Sequence, residues 1–354
     1  MPHVAATHLA FPDHYHRQDE VLEQMIALYA DREAELPACK IRKLFESVGV
    51  HGRYFAQPLE RYLEPQSFGD RNRTFVDVAT RLGERAISEL LARLELPASD
   101  VQVLMTNTVT GIAVPSLDAR LMNRVPFSPS TRRVPLFGLG CVAGAAGLAR
   151  AYDYLVGHPR DAVLFLTVEL CSLTQQPADS SLANVLASGL FGDGAAAVLL
   201  VGDEHRLAHG RPRLQATRSC FFPDTERVMG WDVVDSGLRI VLGKAVPELA
   251  RTALPRAIAE FLDDQGWSVA DVAHFVAHPG GPAVIDAIES ALALPAGALA
   301  LTRDSLARVG NLSSASVLAV LHDFERARRL EPGSRGLLFA MGPGFCAEMV
   351  AFTC

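Results

Sequence analysis

No part of this chain is an uninterrupted apolar run of the roughly 18 residues that a membrane-crossing helix needs, so no span is expected. The opening MPHVAATHLAFPDHYH lacks the basic region followed by an apolar run that marks a secretory signal peptide. Cysteine is sparse: Cys39, Cys141, Cys171, Cys220, Cys346 and Cys354 form no C-x-x-C pair and stand at no zinc-finger spacing. That pattern predicts no metal site and a cytoplasmic protein with reduced thiols. Excess positive charge is also missing. The net charge of −7 argues against nucleic acid or an anionic membrane as the partner of the whole surface. A local basic cluster can still hold a small anion. There is no short-period repeat.

What the 354 residues do contain is apolar side chains, 49% of the total, enough to bury a sizeable core. RNRTFVDVATRLGERAISELLARLEL repeats apolar residues at helical spacing, Phe75, Ala79, Leu82, Ala86, Leu90 and Leu94, and is followed by the stop Pro97. VQVLM then reads as a buried strand, Ser116 to Arg124 as a short helix, and a further strand ends near Leu139. A helix over 142–155, a strand DAVLFLTVEL, a helix SSLANVLASGL and a strand AAAVLLV complete this half. The rhythm then repeats. KAVPELARTALPRAIAEFLDD reads as a helix kinked at Pro255, HFVAH as a strand, PAVIDAIESAL as a helix, and NLSSASVLAVLHDFERARR as a long amphipathic helix. RGLLFAMG and FCAEMVAFT read as closing strands. Alternation in both halves predicts layered α/β architecture with largely buried sheets. The polar segment GDEHRLAHGRP divides the chain into halves 1–207 and 208–354.

Cys141 lies in FGLGCVAGAAG, where a strand gives way to a helix. A helix N-terminus favours an anion, and a thiolate placed there has a lowered pKa. Gly138, Gly140, Ala143 and Gly144 would leave room for a substrate to reach the sulfur. A packing cysteine at a close helix contact is the alternative. Two further segments weigh on that choice. VAHPGGPAVIDAI carries His278 at the end of an apolar strand, and RVGNLSSASVLAVL carries Asn311 before a helix. Strand and helix ends cluster into sites in layered α/β proteins. A histidine near a thiol keeps it nucleophilic, and histidine with asparagine can donate to a developing oxyanion such as a thioester enolate. Papain-like hydrolases also run Cys, His, Asn, but their C-G-[SA]-C-[WY] signature is absent and Cys141 lies mid-chain.

Taken in order, GLGCVAGAAG, LFGDGAAAVLL, HPGGPAVID, GNLSSASVL and MGPGF resemble the type III polyketide synthases, the chalcone synthase-like group, over essentially the whole chain. The resemblance implies a thiolase-like fold of two similar αβαβα halves, a homodimer, and no metal or separate cofactor. Acyl-CoA and malonyl-CoA are the implied substrates. It implies that Cys141 carries the growing acyl chain while His278 and Asn311 assist decarboxylation of malonyl-CoA. Phe191 matches the gate between CoA tunnel and cavity. Lys40 and Lys43 match residues that contact CoA phosphates, with Ser47 standing where a third lysine is common. Gly280 and Gly281 would flank the pantetheine arm, and Gly342, Pro343 and Gly344 match a loop that shapes the cavity. Val114-Pro115 matches a segment that reaches the partner subunit, with valine in place of the usual methionine.

Val109, Thr174, Trp231, Ile240 and Ser313 are the positions implied to line the cavity. VELCSLT, SSLANVLASGLFGDGAAAV and PLFGLGCVAGAAG are most similar to bacterial alkylpyrone and alkylresorcinol synthases, which implies a fatty acyl starter. The apolar set Val109, Ile112, Val114, Leu173 and Ile240 would then line a tunnel, or simply a core. ESVGVHGRYFAQPLE and FGDRNRT are similar to enzymes that make tetrahydroxynaphthalene from malonyl units alone, and a malonyl-only tetrahydroxynaphthalene or phloroglucinol-type synthase is the alternative. A ketoacyl synthase that stops after one condensation, a hydrolase, and a non-catalytic acyl-CoA-binding protein on the same fold are also compatible with these residues.

Overall fold

The computed structural model describes residues 1–327 and 331–354. The strands are β1 (His3–Ala10), β2 (His14–Arg17), β3 (Gly52–Phe55), β4 (Val103–Thr108), β5 (Arg132–Phe137), β6 (Ala162–Leu170) and β7 (Asp193–Val201) in the first half. They continue as β8 (Arg213–Phe221), β9 (Met229–Val234), β10 (Gly237–Leu242), β11 (His274–Ala277), β12 (Arg335–Gly342) and β13 (Cys346–Thr353). The helices are α1 (Gln18–Leu28), α2 (Ala38–Ser47), α3 (Phe68–Arg93), α4 (Leu117–Leu121), α5 (Ala143–Val156), α6 (Leu182–Leu190), α7 (Val246–Asp263), α8 (Pro282–Ala291), α9 (Ala300–Val309) and α10 (Ser316–Arg326). Among the described residues no helix is long and apolar enough to cross a membrane.

Strand order across the large sheet is β11-β12-β13-β8-β1-β7-β6-β4-β5. The two halves follow one plan. In the first, β7 lies antiparallel between β1 and β6, and β6 runs parallel to β4. In the second, β13 lies antiparallel between β8 and β12, and β12 runs parallel to β11. One residue pair, His3 with Arg213, joins them. The sheets therefore face each other across a layer made of α5 and α10. Those two helices share one core with side chains from both halves, including Val198, Leu200, Leu338 and Val350. A second core lies under α3 and a third under α7 and α8. The result is five layers, αβαβα, the thiolase-like architecture.

Local chemistry explains the pieces. β6 and β7 are buried at every residue, which is why they read as continuous apolar runs rather than alternating ones. α5, flanked by sheets on both sides, is apolar nearly all round, with nine of its side chains or glycines buried. α3 starts on a capping box between Ser67 and Asp70. Pro255 stays inside α7, whereas Pro247 falls in its first turn, where a missing N–H costs nothing.

Some expectations are corrected. The last predicted helix does not begin at Asn311. Ser313–Ala315 form a 3-10 turn, and α10 starts only at Ser316. Residues 328 and 329 of that predicted helix lie outside the described residues. Strands β1, β8, β9 and β10 and the small ribbon β2–β3 had no sequence counterpart.

Candidate active site

Cys141 sits in the 3-10 turn Gly140–Val142 between β5 and α5, His278 directly after β11, and Asn311 between α9 and the turn at Ser313. All three line one cavity of about 630 Å³, together with Phe191, Gly280 and Gly281. The walls are otherwise mostly apolar, among them Leu44, Leu186, Met229, Leu242 and Met341. Residues from both halves thus meet at a single opening.

The small residues around the sulfur have a different use from the expected one. Gly140 has φ +55°, and a Cβ there would fall 2.7 Å from Pro343. A Cβ on Gly144 would overlap the carbonyl of Ser314. Gly140 and Gly144 thus admit the Pro343 ring and the Ser314 carbonyl, whereas the space beside Gly138 is open. The loop Gly342-Pro343-Gly344 packs under the nucleophile turn, since a Cβ on Gly342 would fall 2.7 Å from the Val142 nitrogen.

The Cys141 sulfur contacts the Ser313 hydroxyl at 3.7 Å. Ser313 itself adopts φ +49°, a left-handed conformation that costs a non-glycine residue on the order of 1 kcal/mol. Asn311 explains why that turn holds. Its Oδ1 accepts from the Ser313 N–H at 2.8 Å and from the Ser316 hydroxyl at 3.2 Å. Because a backbone N–H can only donate, the amide orientation is fixed, and the NH2 is left for the cavity. His278 Nδ1 is buried with no partner among the described residues. The ring as a whole lines the cavity, where an imidazole is placed for a substrate oxygen or a transferred proton.

Burial dominates the electrostatics. It pushes the Cys141 thiol up to about 12, against a smaller lowering from Ser313, with Glu169 adding to the rise. It pushes His278 down to about 4. Burial therefore opposes the thiolate that a helix N-terminus was expected to favour. It favours the thiol and the neutral imidazole, and His278 opens on the same cavity as the sulfur.

Phe191 touches two spaces. On its far side is a second cavity of about 40 Å³, lined by Thr174, Trp231 and Ile240 and by polar groups such as Gln24, Ser172 and Asn184. Thr174, Trp231 and Ile240 are thus together, and Ser313 stands beside the sulfur. Val109 is not with them. It is buried, its N–H donating to Glu169 at 3.1 Å, and it lines neither cavity. The expected fatty acyl tunnel is not formed by its proposed set: Ile112 and Val114 are exposed, and Leu173 is core. Lys40 and Lys43 are exposed on α2, whose Leu44 and Ser47, with Val48 just after it, line the larger cavity.

Two groups escaped sequence reasoning. Glu169 is fully buried one shell away, accepting from Thr110 Oγ1 at 2.8 Å and from the Ser314 hydroxyl, which in turn accepts from Asn107 at 2.9 Å. Burial pushes its carboxyl up to about 6. A lone acid inside a continuous apolar strand was the available signal. Lys244 lines the larger cavity and had no motif to mark it.

Two profiles of one family match the chain. The description "Chalcone and stilbene synthases, N-terminal domain" covers residues 3–204, and "C-terminal domain" covers 213–353. The chain is 47% identical over 348 residues to 1,3,6,8-tetrahydroxynaphthalene synthase of Streptomyces peucetius subsp. caesius, covering 98% of this chain and 92% of that one. It is 37% identical over 318 residues to a putative chalcone synthase of Bacillus subtilis (strain 168), covering 87% of each. Among solved structures, the type III polyketide synthase 1,3,6,8-tetrahydroxynaphthalene synthase of Streptomyces coelicolor A3(2) superposes with a TM-score of 0.92 at 33% identity, over 99% of both chains.

Proposed function

Since the chain belongs to the chalcone and stilbene synthase family, the type III polyketide synthases, we propose that it builds a short polyketide from malonyl-CoA through a thioester on Cys141. The Cys141 sulfur gives its proton to His278 and attacks the starter thioester, and CoA leaves as the thiol by taking that proton. Malonyl-CoA then loses CO2, and the electron pair of the broken bond becomes a thioester enolate. The Asn311 NH2 and His278 donate to its oxygen. Its carbon attacks the acyl group on Cys141, the sulfur is released as a thiolate that takes a proton from water, and a β-ketoacyl-CoA two carbons longer results. The observation that carries this reading is the opening of Cys141, His278 and Asn311 onto one cavity of about 630 Å³.

The starter is short in this reading. The chamber beyond Phe191 holds about 40 Å³, room for a few waters and too little for a long alkyl chain. Its lining mixes apolar side chains such as Leu28, Phe55 and Leu59 with the polar groups of Gln24, Ser172 and Asn184. The relatives named tetrahydroxynaphthalene synthase lean the same way, so the malonyl-only alternative is favoured over the fatty acyl starter. The substrates' phosphates would sit near Lys40, Lys43 and Lys244, the chain's only lysines. The same reading has the enzyme act as a cytoplasmic homodimer without a separate cofactor.

The test is incubation of purified protein with malonyl-CoA alone, then with added hexanoyl- or palmitoyl-CoA, with mass spectrometry of products and of the Cys141 peptide. A cyclised product from malonyl-CoA alone is expected. Alkylated products formed only with the long starter would restore the alkylpyrone reading, and no acyl adduct under any condition would end both.

A further inference from the structure

Arg53 is the bulkiest fully buried side chain among the described residues, and it lines neither cavity. A guanidinium removed from water needs partners for its donors, and here only the Nε–H has none among the described residues. No carboxylate bonds to it. Instead its Nη1 donates to the Gly189 carbonyl and its Nη2 to the Ser188 carbonyl at 2.5 Å. Both carbonyls belong to the last turn of α6, the end where the helix carries partial negative charge. The rings of Phe55 and Phe45 lie 5.4 and 6.0 Å from the guanidinium carbon. The nearest acid, Asp193, spends its oxygens on the N–H groups of Ala56 and Ser172 and on the Ser172 hydroxyl. Arg53 is thus committed to one task, holding the end of α6.

The chain leaves α6 directly into the site. Phe191 is the C-cap residue of that helix, and the backbone there is bridged to the other half of the molecule. The Asn311 N–H donates to the Leu190 carbonyl at 2.9 Å, and the Gly192 N–H donates to the Asn311 carbonyl at 3.0 Å. The arginine stem lies against that bridge. A Cβ on Gly192 would fall 3.1 Å from Arg53 Cβ. One on Gly310, which has φ +74°, would fall 3.5 Å from Arg53 Cδ. One side chain therefore braces both strands of the junction from behind.

We propose that Arg53 is a positioning residue that sets Phe191 and Asn311 together, fixing the wall between the two chambers and the amide that meets the enolate. The inference rests on the proposed polyketide synthase reading. It separates two steps that a general loss of fold would not. Acylation of Cys141 needs the sulfur and His278, whereas decarboxylation needs Asn311 in register and product length needs Phe191 in place.

The test uses Arg53→Lys and Arg53→Met in the full chain. Lysine keeps the charge but not the planar fork, so it does not reproduce the two separate nitrogens that meet the two carbonyls. Three quantities are read: acyl mass on Cys141 with time, CO2 release at saturating malonyl-CoA with its KM, and the distribution of product lengths. Misplacing a group by about 1 Å costs up to roughly 100-fold, so kcat for CO2 release should fall about tenfold in the lysine variant and further in the methionine variant, with acylation and KM within about threefold of wild type. Product lengths should broaden in both. Should Arg53→Met fail to fold, Phe45→Leu, which removes one stacked ring but neither hydrogen bond, should show a smaller change of the same kind beside Arg53→Lys. Wild-type CO2 release and product lengths in folded Arg53→Lys would overturn the proposal. So would equal losses in acylation and decarboxylation. Absence of CO2 release by the wild-type protein would instead overturn the functional reading itself.

Discussion

At the residue scale the question is where one proton sits. Burial above all holds Cys141 as a thiol and His278 as a neutral imidazole, at about 12 and about 4. Passing the proton from sulfur to ring replaces two neutral groups by an ion pair whose members attract each other in a water-poor cavity, with the start of α5 adding to the anion's side. Removing the ring removes the acceptor and leaves the desolvation. His278→Gln should therefore slow alkylation of Cys141 by iodoacetamide at pH 7 by at least about tenfold and move its pH profile to more alkaline values. Rates measured from pH 5 to 10 check this. Superimposable profiles for variant and wild type would mean that the sulfur's reactivity does not depend on His278. Ser313 alone would then have to account for it, through a contact of only 3.7 Å to a neutral hydroxyl.

At the scale of elements, the site depends on how closely α5 and the turn before α10 approach. A methyl group on Gly144 has no space beside the Ser314 carbonyl and Val317. Gly144→Ala should cost about 1–3 kcal/mol of stability, read as a lowered denaturant midpoint. It should also slow Cys141 acylation, because the sulfur leads directly into the displaced helix. An unchanged midpoint would show that the two helices can part without strain. The same elements show what was legible beforehand. The buried strands β6 and β7 and the amphipathic α3 announce themselves, since continuous apolar runs and helical spacing are one-dimensional patterns. Cys141, His278 and Asn311 were legible because each stands where a strand or loop meets a helix. The strands β8, β9 and β10 were not, because they are half-exposed and carry mixed residues without clean alternation. Nor was the use of the glycines: a sequence shows that Gly140 and Gly144 are small, but not that Pro343 and Ser314, some 170 to 200 residues on, fill the space. Arg53 reads as one arginine among many until the fold surrounds it. Val109 was placed in the cavity by resemblance, but its N–H is turned to Glu169 instead.

At the scale of the whole molecule, buried titratable groups in different layers act against one another. His278 and His322 are both pushed by burial from 6.5 to about 4. Between those values the unfolded chain binds protons that the folded chain refuses, so stability from these rings is present above pH 6.5 and lost as pH falls toward 4. Glu169 and Asp193, pushed up to about 6 and about 7, behave oppositely. Folded, they keep protons that the unfolded chain releases near pH 4, and their contribution is lost as pH rises through 6 to 7. The two effects offset, and the melting temperature should vary little between pH 4.5 and 6.5. His322→Gln, far from the cavity at Thr7, takes away one of the rising contributions. The gap in melting temperature between wild type and this variant should widen as pH rises from 4 to 6.5 and then stay constant. A gap independent of pH would mean that His322 titrates normally in the folded protein.

The outer edge of the sheet carries the last consequence. β5 pairs only with β4, so its other side offers a row of free N–H and C=O groups, an arrangement that folded proteins cover or blunt. Phe137 at its end is 60% exposed, and beyond β4 the loop presents Val114 at 88% and Ile112 at 42%. Large exposed apolar side chains grouped at an open edge mark a contact surface. A second copy of this chain fits it, because a strand edge meeting itself about a two-fold axis satisfies both rows at once. The proposed homodimer would form there. Light scattering should then give twice the 38.2 kDa chain mass for the wild type. Phe137→Arg, which sets like charges against each other across the axis, should shift the particle to the single-chain mass, and Val114→Asp should do so in part. A wild-type protein monomeric at micromolar concentration, or a Phe137→Arg variant that stays dimeric, would place the subunit contact on another face and leave this edge to be explained by the arginines at 132 and 133 alone.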